Sequence, residues 1–306
     1  MVQISTIQYL SHHEIDKAKW DSCIREADNG LIYGYSFYLD YMADHWDGLV
    51  LNDYEAVMPL TWNKKYGIYY LYQPFLCAQL GTFGKNIDTE ISKAFLRNVP
   101  SRFKYWDICL NHQNILHLND FNIFLRNNFV LQLSPSYDEL YKNYRENIQR
   151  NIKKALQLGC VAQTNFPVEQ VIELSLQQTK SHSNQKQDFE QFKKLYALLH
   201  GKKQAITYGI LSAAGELLSS CVFFFSNKRA YYILVGNHPN GRTAGTSPAL
   251  IDAFIKDHAG RNLLLDFEGS DIRNLAFFYS SFGAADEKYA AIRVNNLPWY
   301  IKWIKK

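Results

Sequence analysis

Cysteine is sparse in this sequence and follows no pattern. Five occur in 306 residues, at positions 23, 77, 109, 160 and 221, and none forms a C-x-x-C pair. That excludes a disulfide-built secreted scaffold and a cysteine zinc ribbon, and it points to reduced thiols in a cytoplasmic protein. Long apolar runs are also missing. Runs such as Cys221 to Phe225 have only the length of a strand, so no bilayer-spanning helix is expected. Met1 to Leu10 lack the charged start, apolar run and small-residue cleavage site of a signal peptide. Strong charge is absent as well. The balance of 33 basic and 29 acidic residues leaves +4, which permits an anionic ligand but does not argue for bulk nucleic-acid binding. Zinc, P-loop, dinucleotide and G-x-S-x-G signatures do not occur, and His12-His13 is not a metal motif by itself. No metal is expected.

Aromatic residues are plentiful. With 21 Tyr, 19 Phe and 6 Trp they reach 15%, which implies large cores and amphipathic cleft walls. The hydrophobic share of 47% is that of a globular chain, and 306 residues suffice for two domains.

Capping boxes at Ser11–Glu14 and Ser136–Glu139 mark helix starts. The first predicts a helix to about Ala27, and a second helix begins near Ser36. Strands are predicted at Gly48–Leu51, Glu55–Thr61 and Tyr66–Tyr72. They lead to a glycine-bearing loop (Cys77–Lys85), a helix (Asp88–Asn98) and a strand (Phe103–Cys109), and Phe129–Leu133 closes this half. The Ser136 box launches a helix to Gly159, with Tyr141, Tyr144, Ile148, Ile152 and Ala155 on its buried face. The second half then repeats the layout. Helices from Pro167 to about Lys180 and from Asp188 to His200 precede strands at Ala205–Ser212, Glu216–Phe225 and Ala230–Gly236. A loop, a helix (Pro248–His258), a strand (Asn262–Phe267), a helix (Asn274–Phe282) and a strand (Tyr289–Val294) complete it. The duplication is one of pattern, without residue-level repeats.

Chemistry concentrates in Tyr231–Ala284. The loop His238–Thr246 leaves an aromatic strand and enters a helix at Ser247-Pro248. It reads either as a plain turn that needs glycine, or as a pyrophosphate cradle to which Arg242 adds a charged donor. Asp266 and Glu268 alternate along one strand, which puts both carboxylates on one face. Proximity raises the pKa of one of them and suits it to take a proton from an ammonium. The other reading is a cap or an ion pair, with Arg273 as a neighbour. On the following helix Phe278 and Phe282 share a core face. Tyr279 adjoins them, either as a proton donor to a leaving thiolate or as a packed tyrosine. Arg145, Arg150, Lys153 and Lys154 form either a solvated helix face or a patch for an anionic substrate. The tail Leu297–Lys306 reads as packed aromatics with solvated lysines, or as a membrane-surface contact.

These segments resemble a known family. Tyr231–Ala284 is similar to the second half of a GNAT-type acyltransferase domain. Tyr279-Ser280-Ser281-Phe282-Gly283 matches the pattern of a tyrosine four residues before a glycine. Over nearly its full length the chain resembles the FemAB-like branch, in which two GNAT units stand in tandem. Arg145 to Ala155 is similar to that branch's "rrNirka" helix, and Gln73-Pro74-Phe75 with Gln79-Leu80-Gly81 to its first-half loop. Asp266-Phe267-Glu268-Gly269-Ser270 and Phe278–Gly283 are similar to its "DF-G" and "F-K-x-x-F-G" segments.

The resemblance implies an α/β (or α+β) fold of two tandem GNAT-like domains, each a mixed twisted sheet flanked by helices. Residues 1–135 would be a degenerate N-terminal domain, and 136–306 the C-terminal one, with a bridging helix over 136–159. It implies an N-acyltransferase using acyl-CoA (acetyl-CoA) as cosubstrate, held by Gly241, Arg242, Thr243, Ala244, Gly245 and Thr246. Glu268, helped by Asp266, would deprotonate the amine, and a backbone N–H of Ala230–Gly236 would polarise the thioester carbonyl. Tyr279 would protonate the thiolate. The acceptor would be a small-molecule or envelope-precursor amine, entering between the domains. Fem-type enzymes instead move an amino acid from charged tRNA, for which Arg145, Arg150 and Lys153 would supply contacts. They commonly carry a lysine where this sequence has Tyr279, which favours the CoA-type donor. A catalytically silent binding protein of the same fold is the remaining reading.

Overall fold

The structure, a computed structural model, describes residues 6–116, 121–178, 185–269, 271–299 and 302. Most of the aromatic tail therefore lies outside the described residues, as does Lys180 at the end of one expected helix. The chain divides into two compact units, residues 1–126 with 288–306, and residues 127–287.

In the first unit the strands are β1 (Ile7–Leu10), β2 (Trp46–Leu51), β3 (Ala56–Lys65), β4 (Ile68–Tyr72), β5 (Phe83–Gly84), β6 (Phe103–Cys109) and β7 (Ile123–Arg126). Helices α1 (Lys17–Glu26), α2 (Ser36–Met42) and α3 (Thr89–Arg97) accompany them. The Ser11–Glu14 box forms, but it closes only a single 3-10 turn. Helix α1 starts afterwards, capped by Asp16, whose carboxylate accepts the N–H groups of Ala18 and Lys19. Asp88 caps α3 in the same way through Ile91.

In the second unit the order is β8 (Phe129–Gln132), α4 (Tyr137–Lys142), α5 (Glu146–Gln157), β9 (Val161–Thr164), α6 (Val168–Gln178), α7 (Gln185–Gly201), β10 (Ala205–Leu211), β11 (Leu217–Ser226) and β12 (Arg229–Asn237). Then follow α8 (Pro239–Ala244), α9 (Thr246–His258), β13 (Leu264–Asp266), α10 (Arg273–Ser280) and β14 (Ala285–Asp286). The last strand, β15 (Tyr289–Asn295), joins the first sheet. That sheet runs β1-β2-β3-β4-β6-β15-β7 with β5 beside β3, and the second runs β14-β8-β13-β12-β11-β10-β9. The tandem mixed-sheet architecture is thus present.

Two strands sit elsewhere than the sequence order suggests. Phe129–Gln132, expected to close the first half, pairs with β13 and β14 in the second sheet. Tyr289–Asn295, expected to complete the second half, pairs with β6 and β7 in the first. Burial explains the exchange. Phe129 and Leu131 fill the second core, whereas Ala290 and Ile292 fill the first. The boundary accordingly falls at 126–127, with a return at 287–288, and not at 135–136.

The expected bridging helix over 136–159 is two helices, α4 and α5. The Ser136–Glu139 box opens the first as anticipated. The break follows from tertiary contacts. Arg145 N–H donates to the Ser281 carbonyl (2.9 Å) and the buried Tyr144 packs edge-on to Phe282.

The second core is built on β11, buried from Leu218 to Phe224. Neighbouring strands on both edges and the helices packed against it explain its unbroken burial. Phe223 stacks on Phe254 of α9 at 3.7 Å. The same helix buries Asp252, which accepts hydrogen bonds from Tyr137 at 3.1 and 3.2 Å. Burial pushes its carboxyl above the ordinary value, against the pull of Tyr137, Tyr144 and Lys256. Its ionised form is therefore disfavoured by folding. Stability from the protonated form is complete below the unfolded pKa and is lost as pH rises through the raised folded value. Asp252→Asn should consequently stabilise the protein at pH 7, and the gain should vanish as pH falls into the ordinary carboxylate range. Urea denaturation at pH 7 and in that range checks this, and a destabilised variant at pH 7 would contradict it.

Candidate active site

The site starts with an irregularity in β12. Its register with β11 slips between the pairs Val222–Leu234 and Phe223–Tyr232, so Ile233 forms a bulge. A bulge bends its strand and increases the local twist. On its other edge β12 pairs in parallel with β13, but only from Arg229 to Tyr231. β13 ends at Asp266, while β12 continues to Asn237. Beyond Tyr231, no described strand covers that edge, and the two strands part like a fork.

A cleft of about 1150 Å3 opens at this fork. Tyr232, Val235 and Asn237 of β12 line it, with Asn274, Phe278 and Tyr279 of α10. Asn151 and Gln177 add amides, and His238, Arg242 and Ser247 add polar groups from the connection into α9. Among the described residues its lining contains no carboxylate. Such a wall suits a ligand that is neutral or anionic.

The connection is more ordered than a loop. Pro239–Ala244 form α8, with His238 at the N-cap accepting the Asn240 N–H at 3.2 Å. Gly245, at φ +76°, ends α8 and leads directly into α9. Both glycines serve close packing. A Cβ on Gly245 would lie 2.6 Å from the Asn151 carbonyl oxygen, and one on Gly241 would collide with the Leu218 carbonyl. Thr246 is wholly buried, its hydroxyl shared between Ser219 Oγ (2.5 Å) and the Gly241 carbonyl (3.1 Å). Of the six residues expected to cradle a phosphate, Gly241, Arg242 and Gly245 line the cleft. Thr243 is exposed outside that lining, Ala244 packs against the core, and Thr246 is an interior strut.

Asp266 and Glu268 do not share a strand face. β13 stops at Asp266, and Glu268 has a left-handed backbone at φ +60°. For a non-glycine residue that conformation is strained and needs support. Asp266 supplies it by accepting the Glu268 N–H at 2.8 Å. The other carboxylate oxygen of Asp266 receives Arg229 Nη1 at 2.6 Å, and Arg229 also grips Glu287 at 2.8 and 3.1 Å. The partner is thus Arg229, not the neighbouring Arg273. Asp266 is only 2% exposed and is a structural carboxylate. Glu268 is half-buried and is not part of the cleft wall.

Tyr279 lies on α10 and lines the cleft. Its ring stacks on Phe267 at 4.9 Å and meets Tyr232 edge-on at 6.4 Å. Burial, with the charge of Glu268 adding to it, pushes the phenol up to about 12. Arg145, Arg150 and Lys153 are exposed, and none lines the cleft. Arg145 instead lies over the Phe277 ring at 4.6 Å. The sequence reading missed Tyr232, Asn151 and Asn237. Only the strand end at Asn237 carries a local signal, since the other two sit inside ordinary strand and helix patterns.

Residues 142–271 match the family model described as an acetyltransferase (GNAT) domain. The chain carries a GNAT acyltransferase domain. The match ends before α10, so it does not reach Tyr279. Among solved structures, FemX aligns with a TM-score of 0.66 at 11% identity, covering 98% of this chain and all of FemX (100%). A tandem GNAT protein from the clavulanic acid biosynthesis pathway gives 0.56 at 10% identity, covering 96% of this chain and 99% of its own. L-PGS from Bacillus licheniformis gives 0.54 at 12% identity, covering 94% and 95%. At these identities the likeness is one of fold, and the fold is that of tandem GNAT proteins. No curated protein matches this sequence. Among the described residues no cluster of His, Cys, Asp or Glu is placed to hold a metal, and no helix is long and apolar enough to cross a membrane.

Proposed function

We propose that the second unit of this GNAT acyltransferase moves an acyl group from a CoA-type thioester to an amine by direct attack. The observation that carries the reading is the buried phenol of Tyr279, held protonated at the wall of the cleft. The amine lone pair adds to the thioester carbonyl carbon, the C–S bond breaks, and Tyr279 gives its proton to the departing sulfur. Burial also makes that thiolate more basic, which matches it to a weak acid. The uncovered edge of β12 beyond Tyr231 supplies N–H groups for the carbonyl oxygen. Arg242 and the start of α9 suit the anionic end of the donor. Glu268 acts through its charge, which helps to keep the proton on Tyr279. The amine proton leaves to solvent.

An aminoacyl donor carries an ammonium next to its carbonyl, and among the described residues the cleft wall offers it no carboxylate. This favours the acyl-CoA donor over charged tRNA. The acceptor is a small-molecule or envelope-precursor amine. All five cysteines are unpaired, which supports a reducing, cytoplasmic setting. Thermal denaturation with CoA and acetyl-CoA tests the reading. At a concentration of 100 Kd, binding to the native state contributes about 2.7 kcal/mol, so a rise of several degrees is expected. An unchanged melting temperature at millimolar CoA would count against it, and salt-sensitive binding of tRNA in its place would favour the aminoacyl donor.

A further inference from the structure

We propose that Tyr232 is a second catalytic phenol, whose hydroxyl donates a hydrogen bond to the thioester carbonyl oxygen as the amine adds. The inference rests on the thioester reading of the cleft. Tyr232 is 5% exposed and lines the cleft together with Tyr279. Its ring is held by Phe223 at 5.4 Å and Phe267 at 6.3 Å, and it stands at 85° to the Tyr279 ring. A buried tyrosine normally gives its hydroxyl a protein partner. Neither of these two hydroxyls has one among the described residues, although Tyr137 and Tyr208 each reach an aspartate. The position is also particular. Tyr231 is the last β12 residue paired with β13, and Ile233 is the bulge, so Tyr232 sits where the strands part. A bulge at this point re-aims neighbouring side chains. The same strand contributes the uncovered N–H groups, so phenol and backbone can converge on one oxygen.

Tyr232 keeps its proton throughout. Burial raises its phenol well above the ordinary value, and the neighbouring Cys221 and Tyr279 add to this. It therefore stabilises developing negative charge by a hydrogen bond, while Tyr279 performs the one proton transfer. The two hydroxyls have separate tasks, one on oxygen and one on sulfur.

The test measures thiol release from acetyl-CoA with hydroxylamine as the attacking amine, a small nucleophile that needs no acceptor pocket. Wild type, Tyr232→Phe and Tyr279→Phe are compared. For Tyr232→Phe, kcat should fall about 10²-fold, as for loss of one oxyanion donor, with KM for acetyl-CoA within about twofold. Its melting temperature should not change, because the lost hydroxyl bonds to no described residue. A slow Tyr279→Phe beside a Tyr232→Phe of wild-type rate overturns the assignment of Tyr232 and leaves the thioester reading standing. Wild-type protein that releases no thiol above the uncatalysed rate overturns both.

Discussion

Replacing Arg229 by methionine is expected to destabilise the protein by about 3–5 kcal/mol, the usual cost of orphaning a buried charge. Arg229 opens β12, Asp266 ends β13, and Glu287 directly follows β14. One guanidinium therefore ties three strand ends. The side chains of Arg229 and Asp266 are 8% and 3% exposed. Burial works against the charge on Arg229, but Asp266 and Glu287 outweigh it and hold the guanidinium protonated. Without the arginine, Asp266 must either stay ionised in an apolar surrounding or take up a proton at neutral pH. Both options cost stability. Urea denaturation followed by circular dichroism measures the loss. The double variant Arg229→Met/Asp266→Leu should recover much of it, since it removes the orphaned charge as well as its partner. A single variant that loses less than about 1 kcal/mol would place the pair with weak surface ion pairs and refute the structural role.

That triad also marks the limit of what the sequence discloses. Local signals were reliable where a short segment decides its own structure. Asp88 caps α3, Ser136 and Glu139 close a capping box, and Phe103–Cys109 forms its strand as its residues suggest. Partners at a distance were not readable. Alternation tells which face of β8 or β15 is apolar, but not which core receives it, so the exchange of these strands stayed hidden. Asp266 finds Arg229 at a separation of 37 residues, whereas the sequence offered only the nearby Arg273. Its bond to the Glu268 N–H then accompanies a left-handed turn that no propensity would assign to glutamate. Alternation puts the carboxylates on one face only if the strand runs on to Glu268, two residues past its end at Asp266. For the glycines at 241 and 245 the sequence leaves a plain turn and a phosphate cradle open, and the carbonyls of Leu218 and Asn151 crowd both positions. Tyr279 is legible because a glycine follows shortly after its helix and its spacing from Phe282 gives its face. Tyr232 was lost among the apolar residues of its own strand.

Substituting phenylalanine for Tyr279 is expected to lower kcat by about 10²–10⁴-fold, the range for losing a positioned general acid, with little change in KM for the donor. The ring remains, so its stacking on Phe267 at 4.9 Å is preserved. The hydroxyl bonds to no described residue, so the melting temperature should hold as well. A residue that is only packed predicts the same stability and an unchanged rate, and the rate alone separates the two roles. The pH profile sharpens the test. A phenol pushed up to about 12 keeps its proton at neutral pH and loses it only as pH rises through that value. Tyr279 should therefore produce no alkaline fall in wild-type activity below about pH 11, one unit under that pKa. Any rise in rate with pH near neutrality belongs to deprotonation of the attacking amine, and Tyr279→Phe should retain that rise at a lower level throughout. If the variant instead changed the shape of the profile in this range, the phenol would be titrating there, as a base and not as an acid. Retention of full activity would remove Tyr279 from the proton path and leave the expulsion of the thiolate to solvent.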